Sequence, residues 1–232
     1  MQGYPIFLIG LEARHCVVIG GNAEAERKVA GLLECQAAVT VISADVTAQV
    51  RCWADDGRIA WVPRPYQAGD LHGAYLAIVT DGSPPVRATI FQEAEAEQVL
   101  LNTLDDTAHC HFIAGSVVRQ GALTIAISTN GCAPALAVRL RQQFEGMFGP
   151  AYATFLEWMH AVREPIAQQY PELPERRALW YALVDSDILT LLTQGQEALA
   201  RQRLETLLAL PVADLIASVT ESMWGRQPPH QS

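Results

Sequence analysis

Short apolar runs alternate with helix-like stretches over roughly the first hundred positions, and this rhythm sets the expected architecture. Cys16-Val17-Val18-Ile19 reads as a strand, Ala23 to Cys35 as a helix and Val39-Thr40-Val41-Ile42 as a second strand, together one βαβ unit. The alternation continues through a helix around Thr47 to Ala54, strands at Ile59 to Val62 and Leu76 to Val79, a helix from Pro84 to Glu97 and a strand at Val99 to Asn102. Strands separated by helices pair in parallel and are covered on both faces, with ligands taken at the carboxyl ends of the strands. The expected fold class is therefore α/β, beginning with a Rossmann-like parallel sheet domain.

After Asn102 the pattern changes. Phe112 to Val118 and Leu123 to Ser128 are strand-like and are joined only by Arg119-Gln120-Gly121-Ala122, which predicts an antiparallel hairpin. Pro134 suits the first turn of a helix, and helices are expected over Ala135 to Met147, Tyr152 to Gln169, Glu175 to Leu183 and Gln196 to Leu208. The chain thus divides into a Rossmann-like domain at 1–112, a small strand-helix module at 113–148, a helical C-terminal domain at 149–224 and a loose tail at 225–232.

Half the residues are apolar and 18% are charged, an ordinary globular composition. The N-terminus has no basic region ahead of an apolar run and no uninterrupted apolar stretch is long enough to span a bilayer, so a cytoplasmic protein without membrane contact is expected. The five cysteines are scattered, odd in number and without a CxxC pair, which points to free thiols and to no resident metal. A net charge of -9 excludes a general nucleic-acid binder. An anionic small ligand remains compatible with it, because Arg119, Arg139, Arg141, Arg163, Arg176 and Arg177 all lie in the second half.

The first strand runs into Gly20-Gly21-Asn22-Ala23-Glu24-Ala25, which meets the dinucleotide-turn template at its first glycine and its last small residue and carries Asn22 in place of the middle glycine. Asn tolerates left-handed backbone better than other side-chain-bearing residues, yet its side chain and the charge of Glu24 both stand near the expected phosphate. Ser43-Ala44-Asp45 closes the second strand. A carboxylate here either binds the adenosine ribose, favouring NAD over NADP, or caps the next helix. Asn102-Thr103-Leu104-Asp105-Asp106 follows the fifth strand, and either carboxylate is a general base or a turn cap. His109 and His111 are two potential ligands without a third at diagnostic spacing, and read as ordinary loop or strand histidines. Ser128 to Pro134 offers hydroxyls and a helix start, suited to holding an anion or to simple capping.

In order, Pro5-Ile6-Phe7, Val17 to Gly21, Ala25-Glu26-Arg27-Lys28, Val39-Thr40-Val41, Ala77 to Asp81, Asn102 to Asp105, Phe112, and Ile125 to Thr129 with Gly131 and Pro134 resemble the precorrin-2 dehydrogenase family and the N-terminal part of siroheme synthases. The resemblance runs from about Pro5 to about Leu208. It implies NAD-dependent oxidation of precorrin-2 to sirohydrochlorin in a homodimer, with 113–148 as a dimerisation module and, in some members, ferrous iron as a further substrate for chelation. It makes Asp105 the catalytic aspartate. Gly20, Gly21, Asn22, Ala23, Ser43, Ala44, Asp45, Thr80 and Asp81 become cofactor-binding positions. Asn102 and Ser128 fall beside the tetrapyrrole, whose carboxylates Arg119, Arg139 and Arg141 are expected to pair with. Methylation, which trifunctional members perform on a further domain, is expected from another protein. The chain departs from the family at Asn22, Glu24, Ala114-Gly115 and Cys132, which keeps two alternatives in view: an enzyme that only inserts metal, and a non-catalytic tetrapyrrole-binding paralogue with a degenerate NAD site.

Overall fold

The computed structural model describes residues 3–209, and the expected tail at 225–232 lies outside them, as does the end of the helical domain at 224. Two compact units follow one another, meeting at Ala114 and Gly115. In the first unit β1 (His15–Ile19), α1 (Ala23–Glu34), β2 (Ala38–Ile42), α2 (Ala48–Asp55), β3 (Ala60–Val62), β4 (Leu76–Val79), α3 (Pro84–Glu97) and β5 (Leu100–Thr103) follow in that order. The five strands form one parallel sheet in the order β3-β2-β1-β4-β5.

Successive side chains on a strand face opposite ways, and the two faces of this sheet bury different sets. Cys16, Val18, Val39, Val41, Leu76 and Ile78 pack with Ala25, Val29 and Leu32 of α1 in one core. Val17, Ile19, Ile42, Ala77 and Val79 pack with Ile90 and Ala94 of α3 in the other. Continuous apolar strands such as β1 and β4 are what a sheet buried on both faces demands. Because the order reverses between β1 and β4, the helices that follow these two strands cover opposite faces of the sheet, and the crevice at the strands' carboxyl ends is where open α/β sheets take ligands.

The second unit opens with a hairpin of β6 (Ser116–Gln120) and β7 (Leu123–Ile127). Arg119 and Gln120 belong to β6, and the turn is the pair Gly121-Ala122, not the four residues expected. Gly121 has φ +57, and a Cβ on it would stand 2.8 Å from that of Ala153. The expected strand start at Phe112 is displaced to Ser116 for a physical reason: the amides of His111 and Phe112 both donate to the Leu101 carbonyl, which binds this segment to β5.

Then come α4 (Pro134–Met147), α5 (Pro150–Ala161), α6 (Arg163–Gln169), α7 (Leu173–Val184), α8 (Ile188–Thr193) and α9 (Glu197–Leu208). The single helix expected over Tyr152 to Gln169 is broken at Val162. Pro165 explains the break, since it has no N-H to donate to Ala161 and its ring crowds that carbonyl; the ladder resumes where Ile166 donates to Val162. Phe155, Trp158, Val162, Ile166, Leu183, Ile188, Leu204 and Leu208 form the core of these helices. No helix among the described residues is long and apolar enough to cross a membrane.

Candidate functional site

Three loops meet at the carboxyl edge of the sheet, and glycine is what lets them meet. Gly20 has φ +119, and a Cβ there would lie 2.3 Å from the Thr80 hydroxyl oxygen. At Gly21 a Cβ would lie 1.8 Å from the Asp45 carbonyl oxygen and 2.8 Å from Ser43 Oγ. The glycine pair therefore seats the turn after β1 against the loops after β4 and β2. The Gly20 amide donates to Ile42, and the Thr47 amide donates to Gly21.

Asn22 is the N-cap of α1 in extended backbone, φ -79 and ψ -178, so the left-handed tolerance of asparagine plays no part. Its Oδ1 accepts from the Ala25 amide at 3.0 Å and its Nδ2 donates to the Thr80 carbonyl at 3.4 Å. Among the described residues the amides of Gly21, Asn22, Ala23 and Glu24 meet no acceptor. Free amides at a helix start are the donors that bind a phosphate. Glu24 pairs with Arg27 one turn on, which offsets its charge locally. The residues present thus fit a dinucleotide: a glycine turn, a helix start with free amides, and an Asn22 side chain tied into the fold. Lys28, on the same helix, is depressed below the ordinary lysine range by burial.

Asp45 is exposed and α2 is capped by Thr47, whose hydroxyl accepts from the Val50 amide, so of the two roles open to Asp45 the capping one is taken by another residue. Ser43 is held by its own loop, its hydroxyl donating to the Asp45 carbonyl at 2.7 Å. Ala44 lies between them, exposed. Thr80, buried, donates from its hydroxyl to the Ile19 carbonyl at 3.3 Å, while the Asp81 carboxylate accepts from the Gly82 amide at 2.7 Å.

The turn after β5 separates its two carboxylates. Asp106 accepts from His109 Nδ1 at 2.8 Å and is committed to the turn. Asp105, in left-handed backbone at φ +58, is exposed and its carboxylate has no partner among the described residues. The turn is braced from three sides. Leu104 donates to the Val79 carbonyl, the Cys110 thiol donates to the Thr103 carbonyl at 3.2 Å and lies 3.3 Å from that of Asp106, and Arg87 Nη1 donates to the Leu104 carbonyl at 3.3 Å. Burial pushes the Cys110 thiol up, so it stays protonated and able to donate. Sequence reasoning assigns Arg87 no marked role and Cys110 only that of a free thiol; no motif ties either to Asp105, and only the chain's path puts them beside it.

Asn102 is buried and donates to the Phe112 carbonyl at 3.0 Å, a bond that holds the segment leaving the turn. His111 bonds through Nε2 to Glu95 at 2.5 Å, and no group of three metal-ligating side chains occurs among the described residues.

Ser128, Arg119, Arg139 and Arg141 belong to the second unit. The Ser128 hydroxyl accepts from the Asn130 amide at 3.1 Å, and Thr129 Oγ1 accepts from Ala133 at 3.3 Å, both within the loop before α4. Arg141 pairs with Glu145 one turn further along α4; Arg139 and Arg119 have exposed side chains.

Three family models match in succession: putative NAD(P)-binding over residues 7–116, sirohaem biosynthesis protein central over 120–147 and sirohaem synthase dimerisation region over 151–208. A siroheme synthase of Pseudoalteromonas atlantica is 30% identical over 214 residues, covering 92% of this chain and 46% of the relative. A siroheme synthase 2 of Yersinia enterocolitica is 31% identical over 215 residues, covering 92% and 45%. The chain spans about half the length of these curated relatives. The solved structure of SirC, a precorrin-2 dehydrogenase, superposes with a TM-score of 0.72 at 21% identity, over 88% of this chain and all of that one, and so shares its fold.

Proposed function

The chain belongs to the siroheme synthase family, and on that premise we propose that it oxidises precorrin-2 to sirohydrochlorin with NAD, in the cytoplasm and as a homodimer. The observation that carries the reading is the pair of features on one sheet edge: a glycine turn with free amides after β1, and an unpartnered carboxylate, Asp105, after β5. NAD, when bound, supplies the hydride acceptor. The amides of Gly21 to Glu24 hold its pyrophosphate, and Asp45 takes the ribose hydroxyls and repels a 2'-phosphate. Thr80 and Asp81 line the turn that faces them.

Loss of hydride from the substrate leaves a cationic carbon framework that must also lose a proton, and Asp105 accepts that proton on a carboxylate oxygen. Hydride and proton together make the two-electron oxidation. Asn102 keeps the Asp105 turn in place, and Ser128, Arg119, Arg139 and Arg141 are the residues assigned to the carboxylates of the substrate.

The homodimer reading is supported by α7. Leu173, Tyr181 and Val184 are exposed on it, and with Arg176, Arg177 and Trp180 they line a concavity of about 470 Å³ within the stretch matched by the dimerisation model. A second copy of the chain is the occupant proposed for it. The function is tested by incubating the purified chain with precorrin-2 and NAD and following sirohydrochlorin by its absorbance. No product with NAD, but metallation of supplied sirohydrochlorin by ferrous iron, would replace the dehydrogenase by the metal-inserting alternative; neither activity would leave a binding protein.

A further inference from the structure

Arg87 projects from the first turns of α3, its stem against the loop after β4: a Cβ added to Gly82 would stand 3.8 Å from Arg87 Cγ. Its tip reaches the Leu104 carbonyl, the peptide that precedes Asp105. The side chain thus bridges the crevice-forming loop after β4 and the turn after β5. It is half-buried, its Nε is shut off from solvent without a partner, and no carboxylate among the described residues pairs with it. Elsewhere Arg27, Arg64, Arg141, Arg201 and Arg203 each pair with a carboxylate. A guanidinium nitrogen shut off from water is costly unless an acceptor compensates it. One long bond to a carbonyl supplies only part of that compensation.

We propose that Arg87 receives an oxyanion of the bound ligand at the carboxyl edge of β4 and β5, beside Asp105. A carboxylate of an acidic substrate and a phosphate of a dinucleotide share the required chemistry, since both accept two parallel N-H donors from a guanidinium fork. The identity of those two ligands rests on the function proposed above; the existence of an anion subsite at Arg87 does not.

The test uses the full chain as wild type, Arg87→Gln and Arg87→Lys, with inorganic pyrophosphate and citrate as phosphate and carboxylate probes at an ionic strength fixed with chloride. The thermal midpoint of the wild type is expected to rise with at least one probe, the rise vanishing in Arg87→Gln and shrinking in Arg87→Lys. No rise in the wild type, or an equal rise in all three proteins, overturns the subsite. If Arg87→Gln does not fold, Arg87→Lys decides alone, because it keeps the charge and loses the fork: a rise equal to wild type overturns the proposal. Calorimetry with NAD and fluorescence titration with sirohydrochlorin then sort the source, the natural ligand being the one whose binding weakens roughly tenfold or more in Arg87→Gln. A wild type that shows the probe effect but does not oxidise precorrin-2 removes the dehydrogenase reading and leaves the subsite standing.

Discussion

Asn22 is tied to Thr80 across the crevice mouth, its Nδ2 donating to the Thr80 carbonyl while its Oδ1 caps α1. The residue that breaks the glycine template therefore joins the turn after β1 to the loop after β4.

That dual attachment sets the first prediction. Asn22→Ala is expected to cost about 1 kcal/mol of unfolding free energy and Asn22→Gly only a few tenths, the usual scale for an N-cap. Because the side chain is engaged with the fold, Asn22→Gly should leave NAD affinity within a few-fold of wild type. Urea denaturation and calorimetry check the two halves, and a large gain in affinity on Asn22→Gly would show that the side chain obstructs the phosphate after all.

Asp105 and Asp106 should divide cleanly between activity and stability. Asp105→Asn is expected to lower kcat by roughly 10²- to 10⁴-fold, the scale of a lost general base, with little change in the melting midpoint. Asp106→Asn loses the charged partner of His109 and should lower the midpoint while sparing most of the turnover. The reverse pattern would reassign the base.

The Arg64-Asp70 pair gives a pH dependence with a definite sign. The Arg64 guanidinium, bonded through two nitrogens, and the Gln67 amide hold the Asp70 carboxyl below its ordinary range. A depressed folded-state value means that the contribution is complete above the unfolded pKa of about 3.9 and is lost as pH falls through the lower folded value. Between about pH 5 and 8 it should be constant. Urea midpoints measured from pH 2 to 7 should show the acid limb of the profile flattened in Asp70→Asn; an unchanged limb would remove the pair from the account.

The five free thiols should differ in reactivity by position. Cys16 is fully buried in β1, and burial, with a smaller effect from Cys35, pushes its thiol up to about 11. Cys52 and Cys132 are exposed, and the Asp56 carboxylate raises Cys52. Since the thiolate is the reacting species, iodoacetamide at neutral pH should label Cys132 ahead of Cys52 and reach Cys16 only in denaturant, as peptide mass mapping would show.

The parallel sheet was legible because its strands are continuous apolar runs, and Pro84 to Glu97 shows a helix read to the residue from a proline start. Less regular signals failed in identifiable ways. Pro165 carries a break that the apolar spacing of Tyr152 to Gln169 hides, and Ile188 to Thr193 is too short for its helical period to stand out, so α8 went unread. At the site, the glycine pair was visible as a turn, but what it touches was not. Contacts such as Gly21 to Asp45, Arg87 to Leu104 and Cys110 to Thr103 join residues far apart in order or lacking any motif, and they exist only once the sheet has brought the loop ends together.

The closeness of Gly21 to the Asp45 carbonyl bears on any effort to re-specify the cofactor. A turn that would need to yield at 1.8 Å admits no side chain at 21 without moving the loop after β2, so that loop and the glycine turn behave as one casting. Conversion of the proposed NAD preference to NADP would have to work through the exposed side chains at Ala44 and Asp45 on an unchanged backbone. Insertions or deletions between Ser43 and Thr47 would instead disturb both the proposed ribose end and the proposed pyrophosphate end at once.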